Sequence, residues 1–256
     1  MLRALTHKVS PQIVDCELTF VERAPIDYEL ASHQHDAYVA KLAELGVSVT
    51  DLCENEGHPD CSFVEDTAIV LDEIAVICSM GVASRRGETA LIAGELSKYR
   101  ELAYVSLPAT IEGGDVLRVG RRILAGISSR TNSEGLNELV RITRRLGYEV
   151  TPIRLKRSLH LKSACTAIDD ETLFVNSDWV ETDSLTGFRL VSTPTDEPDS
   201  ANLLRIGSTV CVQKGFPKAF NLIERIAERV EVVDMSELRK AEAGLTCCSI
   251  VFESGM

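Results

Sequence analysis

Four recurring hairpin patterns constrain this chain more than any other feature. Each is a pair of apolar, strand-like runs around a polar break. Thr67–Val70 and Ile74–Ile77 flank Leu71-Asp72-Glu73, and Val116–Val119 and Ile123–Gly126 flank Gly120-Arg121-Arg122. Cys165–Ile168 and Thr172–Asn176 flank Asp169-Asp170-Glu171, and Leu203–Ile206 and Thr209–Val212 flank Gly207-Ser208. The breaks centre near 72, 121, 170 and 207, so the pattern returns every 37 to 49 residues. Such a period marks an internal structural repeat. A fifth unit arises if Arg3–Val9 pairs with Ser249–Phe252. The ring so closed leaves few sheet edges open, whereas the alternative, an open mixed α/β sheet, must protect them. The ring is favoured. No low-complexity linker divides the 256 residues, so 1–256 is expected to be a single domain.

Helical periodicity fills the intervals. Asp27–Leu45 puts Leu30, Tyr38, Leu42 and Leu45 near one face, and Glu88–Leu102 does so with Leu91, Ile92, Leu96 and Tyr99. Ser133–Leu146 begins at Asn132 or Ser133, either a good N-cap, and stops at Gly147. Phe216–Val230 opens on Pro217. The composition is that of a globular protein, and no apolar run approaches the roughly 18 residues of a membrane span. Charges at Arg3 and Lys8 argue against a secretion signal. The eight cysteines form no CxxC pair, so reduced thiols in a cytoplasmic protein are expected rather than disulfides or zinc. The net charge of −12 disfavours nucleic acid as a partner and favours a small cation.

Polar clusters stand just before the strand pairs: Asp60 to Asp66, Glu112-Gly113-Gly114-Asp115, Leu159 to Ser163, and Gly244 to Ser249. Taken singly, each has an ordinary explanation. Gly- and Asp-rich segments are usually turns, a lone His is usually structural, and Cys pairs usually pack. At matching points of a repeat they would converge, bringing a Cys, a His and several carboxylates into one pocket. That set suits nucleophilic catalysis with an acid/base partner.

These motifs, with Ser84-Arg85-Arg86 and Ser129-Arg130-Thr131-Asn132, resemble the dimethylarginine dimethylaminohydrolase family of the guanidine-modifying, or pentein, superfamily. The resemblance runs from about Val14 to Val251. It implies an α/β fold, a five-bladed propeller of ββαβ modules with pseudo-fivefold symmetry. It also implies hydrolysis of methylated arginine to citrulline and a methylamine through a Cys-bound thiouronium, without metal or cofactor. By the same resemblance Cys247 is the nucleophile, His160 the acid/base and Glu112 the carboxylate beside it. Asp60, Glu65 and Asp66 belong to the guanidinium site, which Phe63 lines. Arg85 and Arg130 clamp the substrate α-carboxylate, and Leu18, in a lid over 18–26, and Ala241 meet the substrate through backbone atoms.

The chemistry accounts for these residue types. A guanidinium is planar, cationic and a poor electrophile, so carboxylates must hold it while a thiolate attacks its central carbon. The departing nitrogen needs a proton, which His160 supplies. The substrate cation and His160 are both expected to favour the Cys247 thiolate. Cys248, next along an expected strand, would face the other way.

Three alternatives remain at this point. An arginine deiminase would carry an Asp two residues after the His, where this chain has Lys162. An amidinotransferase would be longer, and a catalytically silent pentein binding module would lack the Cys/His pair. Arg86 reads as a solvated neighbour of Arg85, and His33 and His35 point apart on a helix. A metal at His58 is not favoured, and Cys16, Cys53, Cys78, Cys165 and Cys211 read as structural. The partners expected are a small guanidino molecule and, at most, a second copy in a homodimer, with no nucleic acid and no membrane.

Overall fold

A computed structural model describes residues 1–254. Its strands are β1 (Leu2–His7), β2 (Ser48–Leu52), β3 (Ala68–Val70), β4 (Ile74–Ile77), β5 (Glu101–Tyr104), β6 (Val116–Val119), β7 (Arg122–Ile127), β8 (Glu149–Arg154), β9 (Cys165–Ala167), β10 (Thr172–Val175), β11 (Arg189–Ser192), β12 (Leu204–Ile206), β13 (Thr209–Gln213), β14 (Arg229–Val233) and β15 (Ile250–Glu253). They form five three-stranded sheets, β3-β4-β5, β6-β7-β8, β9-β10-β11, β12-β13-β14 and β15-β1-β2. In each, the middle strand pairs antiparallel with the first and parallel with the third. The four hairpins lie where the polar breaks put them.

The fifth sheet closes the ring. Arg3 pairs with Phe252 and Leu5 with Ile250, so the first strand of the chain completes a sheet begun by the last. Neighbouring sheets meet through their first strands, β15 against β3 and β6 against β9. All five first strands line one axial cavity of about 410 Å³. The molecule is a five-bladed α/β propeller, and the open sheet is excluded.

A parallel third strand needs a crossover, and the helices supply it. Tyr28–Glu44, Thr89–Leu96, Ser133–Thr143 and Pro217–Ile223 connect middle to third strands, while the third sheet makes do with a 3-10 turn at Thr182–Ser184. Two helices are shorter than their periodicity predicts. The one expected over 88–102 ends at Leu96, because Leu102 is taken by β5, opposite Ala75. The one expected over 216–230 ends at Ile223, because Val230 lies in β14 opposite Val210. Pairing with an existing strand overrides local helical preference. On the first helix the buried stripe is Ala31, Gln34, His35, Tyr38 and Leu42, so Leu30 faces solvent instead of the core. Among the described residues no helix is long and apolar enough to cross a membrane.

Candidate active site

One helical turn stands immediately before the first strand of every sheet. These turns are Val64–Thr67, Gly113–Asp115, Leu161–Ala164, Pro198–Ala201 and Thr246–Cys248. Because the first strands ring the axis, their leading turns converge at one end of it. Three of the sequence clusters map onto turns two, three and five, and Asp60 to Asp66 runs into the first. The fourth turn, with Asn202 behind it, was not anticipated. Contact between turns explains the paired glycines. A Cβ on Gly113 would lie 2.0 Å from the Glu65 carbonyl oxygen, and one on Gly114 would lie 2.6 Å from Asp66 Oδ1 and 2.8 Å from His160 Cγ. No larger residue fits between these turns.

His160 sits between two buried carboxylates. Its Nε2 is 2.8 Å from Glu112 Oε2 and its Nδ1 is 3.7 Å from Asp66 Oδ1. Burial would depress the imidazole, but Asp66, the bond to Glu112 and Asp115 together raise it to about 9. It is therefore an imidazolium at neutral pH. Burial works against ionisation of Glu112 and Asp66 as well, yet His160 holds both below the ordinary carboxylate range. The other oxygen of Glu112 accepts from Gly81 N at 2.9 Å and lies 3.6 Å from Arg130 Nη1. That Arg130 nitrogen is buried and has no hydrogen-bond partner.

Asp115, part of the second polar cluster but given no role of its own by the sequence reading, braces this arrangement. It accepts from Leu161 N at 2.9 Å and from Ser128 Oγ at 2.6 Å. It so ties the loop carrying His160 to the loop carrying Arg130. Burial lifts its carboxyl to about 6.

Cys247 and Cys248 lie on the 3-10 turn rather than on a strand, so strand alternation does not govern them. Both are buried. Gly244 N donates to Cys247 Sγ at 3.3 Å. From behind, Tyr38 Oη fixes the turn, donating to Leu245 O at 2.9 Å and bonding Ser249 Oγ at 2.6 Å. Burial, then Glu65 and Asp66, push the Cys247 thiol up to about 12. At neutral pH the residue is a thiol, and of the two influences expected to favour its thiolate only His160 belongs to the protein itself. His160 is not among the main influences on it.

Lys162 points inward. Its Nζ lies 2.5 Å from Glu65 Oε1, and Thr246 Oγ1 donates to Glu65 Oε2 at 2.6 Å. Asn202 holds both partners, donating from Nδ2 to Lys162 O and Thr246 Oγ1 and accepting Thr246 N at Oδ1. The Lys162–Glu65 pair therefore closes the floor between the site and the axial cavity, which both residues also line.

Arg85, the expected clamp beside Arg130, is spoken for. Nη1 donates to Asp66 Oδ2 at 2.7 Å, Nε and Nη2 to Glu88, and Nη2 also to Phe63 O. Each of these nitrogens has a partner inside the protein, with one of the two N–H groups of Nη1 left over, whereas Arg130 Nη1 has none. Removing Asp66 or Glu88 would strand a buried charge, at about 3–5 kcal/mol. Arg86 is exposed, as anticipated. Asp60 lies at the lid end of the site, where its carboxylate accepts Glu17 N at 3.2–3.3 Å. Leu18, Phe63, Ala241 and Cys247 pack in one apolar cluster.

Among the described residues two groups of three ligating side chains converge within 4.8 Å, Asp66-Glu112-His160 and His35-Asp36-Asp51. The first is bonded internally as above. In the second, Lys8 Nζ reaches both Asp51 (3.1 Å) and Asp36 (3.5 Å), so a metal ion would have to displace an ammonium already in place. His58 belongs to neither group.

Comparison with known proteins adds an independent line. A family model described as N,N dimethylarginine dimethylhydrolase, eukaryotic, matches residues 19–186. The N(G),N(G)-dimethylarginine dimethylaminohydrolase of Streptomyces coelicolor is 33% identical over 250 residues, which cover 97% of this chain and 96% of that one. The protein of the same name from Pseudomonas aeruginosa is 32% identical over 228 residues, covering 88% and 90%. A solved structure of that Pseudomonas protein, a cysteine-to-serine variant complexed with citrulline, matches with a TM-score of 0.93 at 30% identity and covers 98% of both chains.

Proposed function

The chain belongs to the dimethylarginine dimethylaminohydrolase family, and from that premise we propose how its residues hydrolyse asymmetric dimethylarginine and monomethylarginine to citrulline and a methylamine. The observation that carries the mechanism is His160 bonded to buried Glu112 and facing Asp66, a carboxylate that with Glu65 acts on the Cys247 thiol.

Without substrate, Glu65 and Asp66 oppose ionisation of Cys247. A bound guanidinium places a positive charge against those carboxylates and removes the opposition, so substrate activates its own nucleophile. Cys247 gives up its proton to solvent, and the thiolate attacks the central guanidinium carbon. His160 gives its proton to the methylated nitrogen, the C–N bond breaks, and the neutral amine leaves. The remaining planar thiouronium is attached to Cys247. Neutral His160 then takes a proton from water, the hydroxide adds to the same carbon, and the C–S bond breaks. The hydroxyl proton passes to the departing sulfur, so the products are a neutral ureido group and the Cys247 thiol. Glu112 and Asp66 stabilise the charged imidazole in the first half and restore it in the second.

Arg130 receives the α-carboxylate, since its free Nη1 lies two residues before the N-cap of the Ser133–Thr143 helix, whose dipole favours an anion. Arg85 holds Asp66 in place. The inward Lys162 favours methylated substrates over arginine: it occupies Glu65 Oε1, so the site has one fewer free acceptor oxygen for the N–H groups that methylation removes. The eight free thiols suit a reducing cytoplasm. A site drawn from all five units supports one catalytic domain.

Citrulline release is to be measured with monomethylarginine, asymmetric dimethylarginine and arginine. Both methylated substrates should exceed arginine in kcat/KM, and Cys247→Ser should abolish turnover of each. Faster turnover of arginine, or turnover surviving in Cys247→Ser, would overturn the assignment.

A further inference from the structure

The lid is held by a segment that also serves the nucleophile. At its two ends the lid is tied conventionally: Glu17 N to Asp60, Ser84 Oγ to Glu17, Lys240 Nζ to Pro25 O, and Asp27 N to Glu237. Its middle is held differently. The Glu242 carboxylate accepts two consecutive backbone N–H groups, Thr19 N at 2.5 Å on Oε2 and Phe20 N at 2.7 Å on Oε1. The Phe20 and Val21 side chains are exposed, so the lid centre is gripped through its backbone.

Glu242 is also the only non-glycine residue with a positive φ among the described residues, at 58°. A side chain tolerates that conformation at a cost, and such residues gather where geometry matters to function. Here the left-handed turn ends the 3-10 helix Leu238–Ala241, which carries one backbone contact expected for substrate. Two residues later, Gly244 N donates to Cys247 Sγ. Ala241, Glu242 and Gly244 thus join substrate backbone contact, lid and nucleophile in four residues.

We infer that Glu242 is a positioning residue for the reaction, a carboxylate latch that holds the lid shut over bound substrate through the Thr19 and Phe20 amides. This rests on the methylarginine hydrolase reading of the site. The latch acts on retention of substrate and not on bond breaking, because Glu242 contacts no reacting group while Gly244 keeps its own bond to sulfur.

The test pairs Glu242→Gly with Glu242→Gln. Glycine removes the carboxylate and accepts the positive φ, so the variant keeps the turn. Glutamine keeps the length but offers one acceptor where two are used. In Glu242→Gly, KM for asymmetric dimethylarginine should rise about tenfold with kcat within about threefold. Glu242→Gln should fall between it and the native protein. Tryptic cleavage after Arg23, exposed in the lid, should speed up about tenfold in Glu242→Gly, and citrulline should protect the native protein more than the variant. Unchanged KM and unchanged cleavage would overturn the latch. So would a fall in kcat at constant KM, which would place Glu242 in the chemistry. If the native protein turns over no methylarginine, the substrate reading fails while the cleavage comparison still decides the latch.

Discussion

At the scale of single residues, the protonation states divide the labour. His160 is held charged up to about pH 9 by its three carboxylate neighbours, and Cys247 is held neutral up to about 12 by burial and by two of the carboxylates that receive the substrate. A resting thiol surrounded by acids resists adventitious alkylation and becomes nucleophilic when a cation arrives. The pH consequence follows directly. A thiol below its pKa reacts in proportion to its thiolate fraction, which grows about tenfold per pH unit. Inactivation of the free protein by iodoacetamide should therefore climb at that slope from pH 7 to 9 without levelling. A plateau near neutrality would mean that Cys247 is ionised before substrate binds. Sequence pattern could not have disclosed this, since Glu65 lies 182 residues from Cys247. What pattern did carry was residue type and order: Cys247, His160, Glu112 and the acids of 60–66 all stand where turns converge. The internal bonds of Arg85 were illegible for a related reason, because its partners Asp66, Glu88 and the Phe63 carbonyl come together only once the turns are packed.

At the scale of elements, the loop that carries Arg130 depends on the start of one helix. Asn132 Oδ1 accepts from Gly135 N at 2.8 Å and from Thr110 N at 3.0 Å, and its Nδ2 donates to Pro108 O at 2.9 Å. One residue before, Thr131 Oγ1 accepts from Glu112 N. The cap so links a helix, the loop before β6 and the carboxylate of the catalytic pair. Replacing Asn132 by Ala should cost about 1–2 kcal/mol, or roughly 2–8 °C of melting temperature for a chain of this size. KM should rise with it, because Arg130 loses its support. Asn132→Asp keeps the accepting oxygen but sets its second carboxylate oxygen against Pro108 O, so it should recover only part of the loss. A melting temperature unmoved by Asn132→Ala would show that the cap carries no load. This N-cap was legible because capping is local, a matter of three residues. The overlong helices at 88–102 and 216–230 were misread because their ends are set by parallel strand partners about 20 or more residues away, Ala75 and Val210.

At the scale of the whole molecule, the repeat was readable because hairpins are local, and the ring was favoured because a single open mixed sheet would have edges to protect. The fourth leading turn escaped notice. Pro198 to Asn202 offers neither Cys nor His, and its one acid, Asp199, is solvent-exposed. Its contribution is mechanical. Asn202 joins the third turn to the fifth, bonding Lys162 O and both the hydroxyl and the amide of Thr246, one residue before Cys247. If the propeller works as a closed ring, a residue with no chemical task in the one chemically silent unit must still set the nucleophile. Asn202→Ala removes three buried hydrogen bonds worth about 1 kcal/mol each. It also frees Thr246 Oγ1 to turn away from Glu65. We expect kcat to fall about tenfold with the protein still folded. Addition of Thr246→Val to Asn202→Ala should lower it no further, because both changes break the same link. Native kcat in a folded Asn202→Ala protein would mean that the four remaining turns position Cys247 unaided, and that closure of the ring serves stability alone.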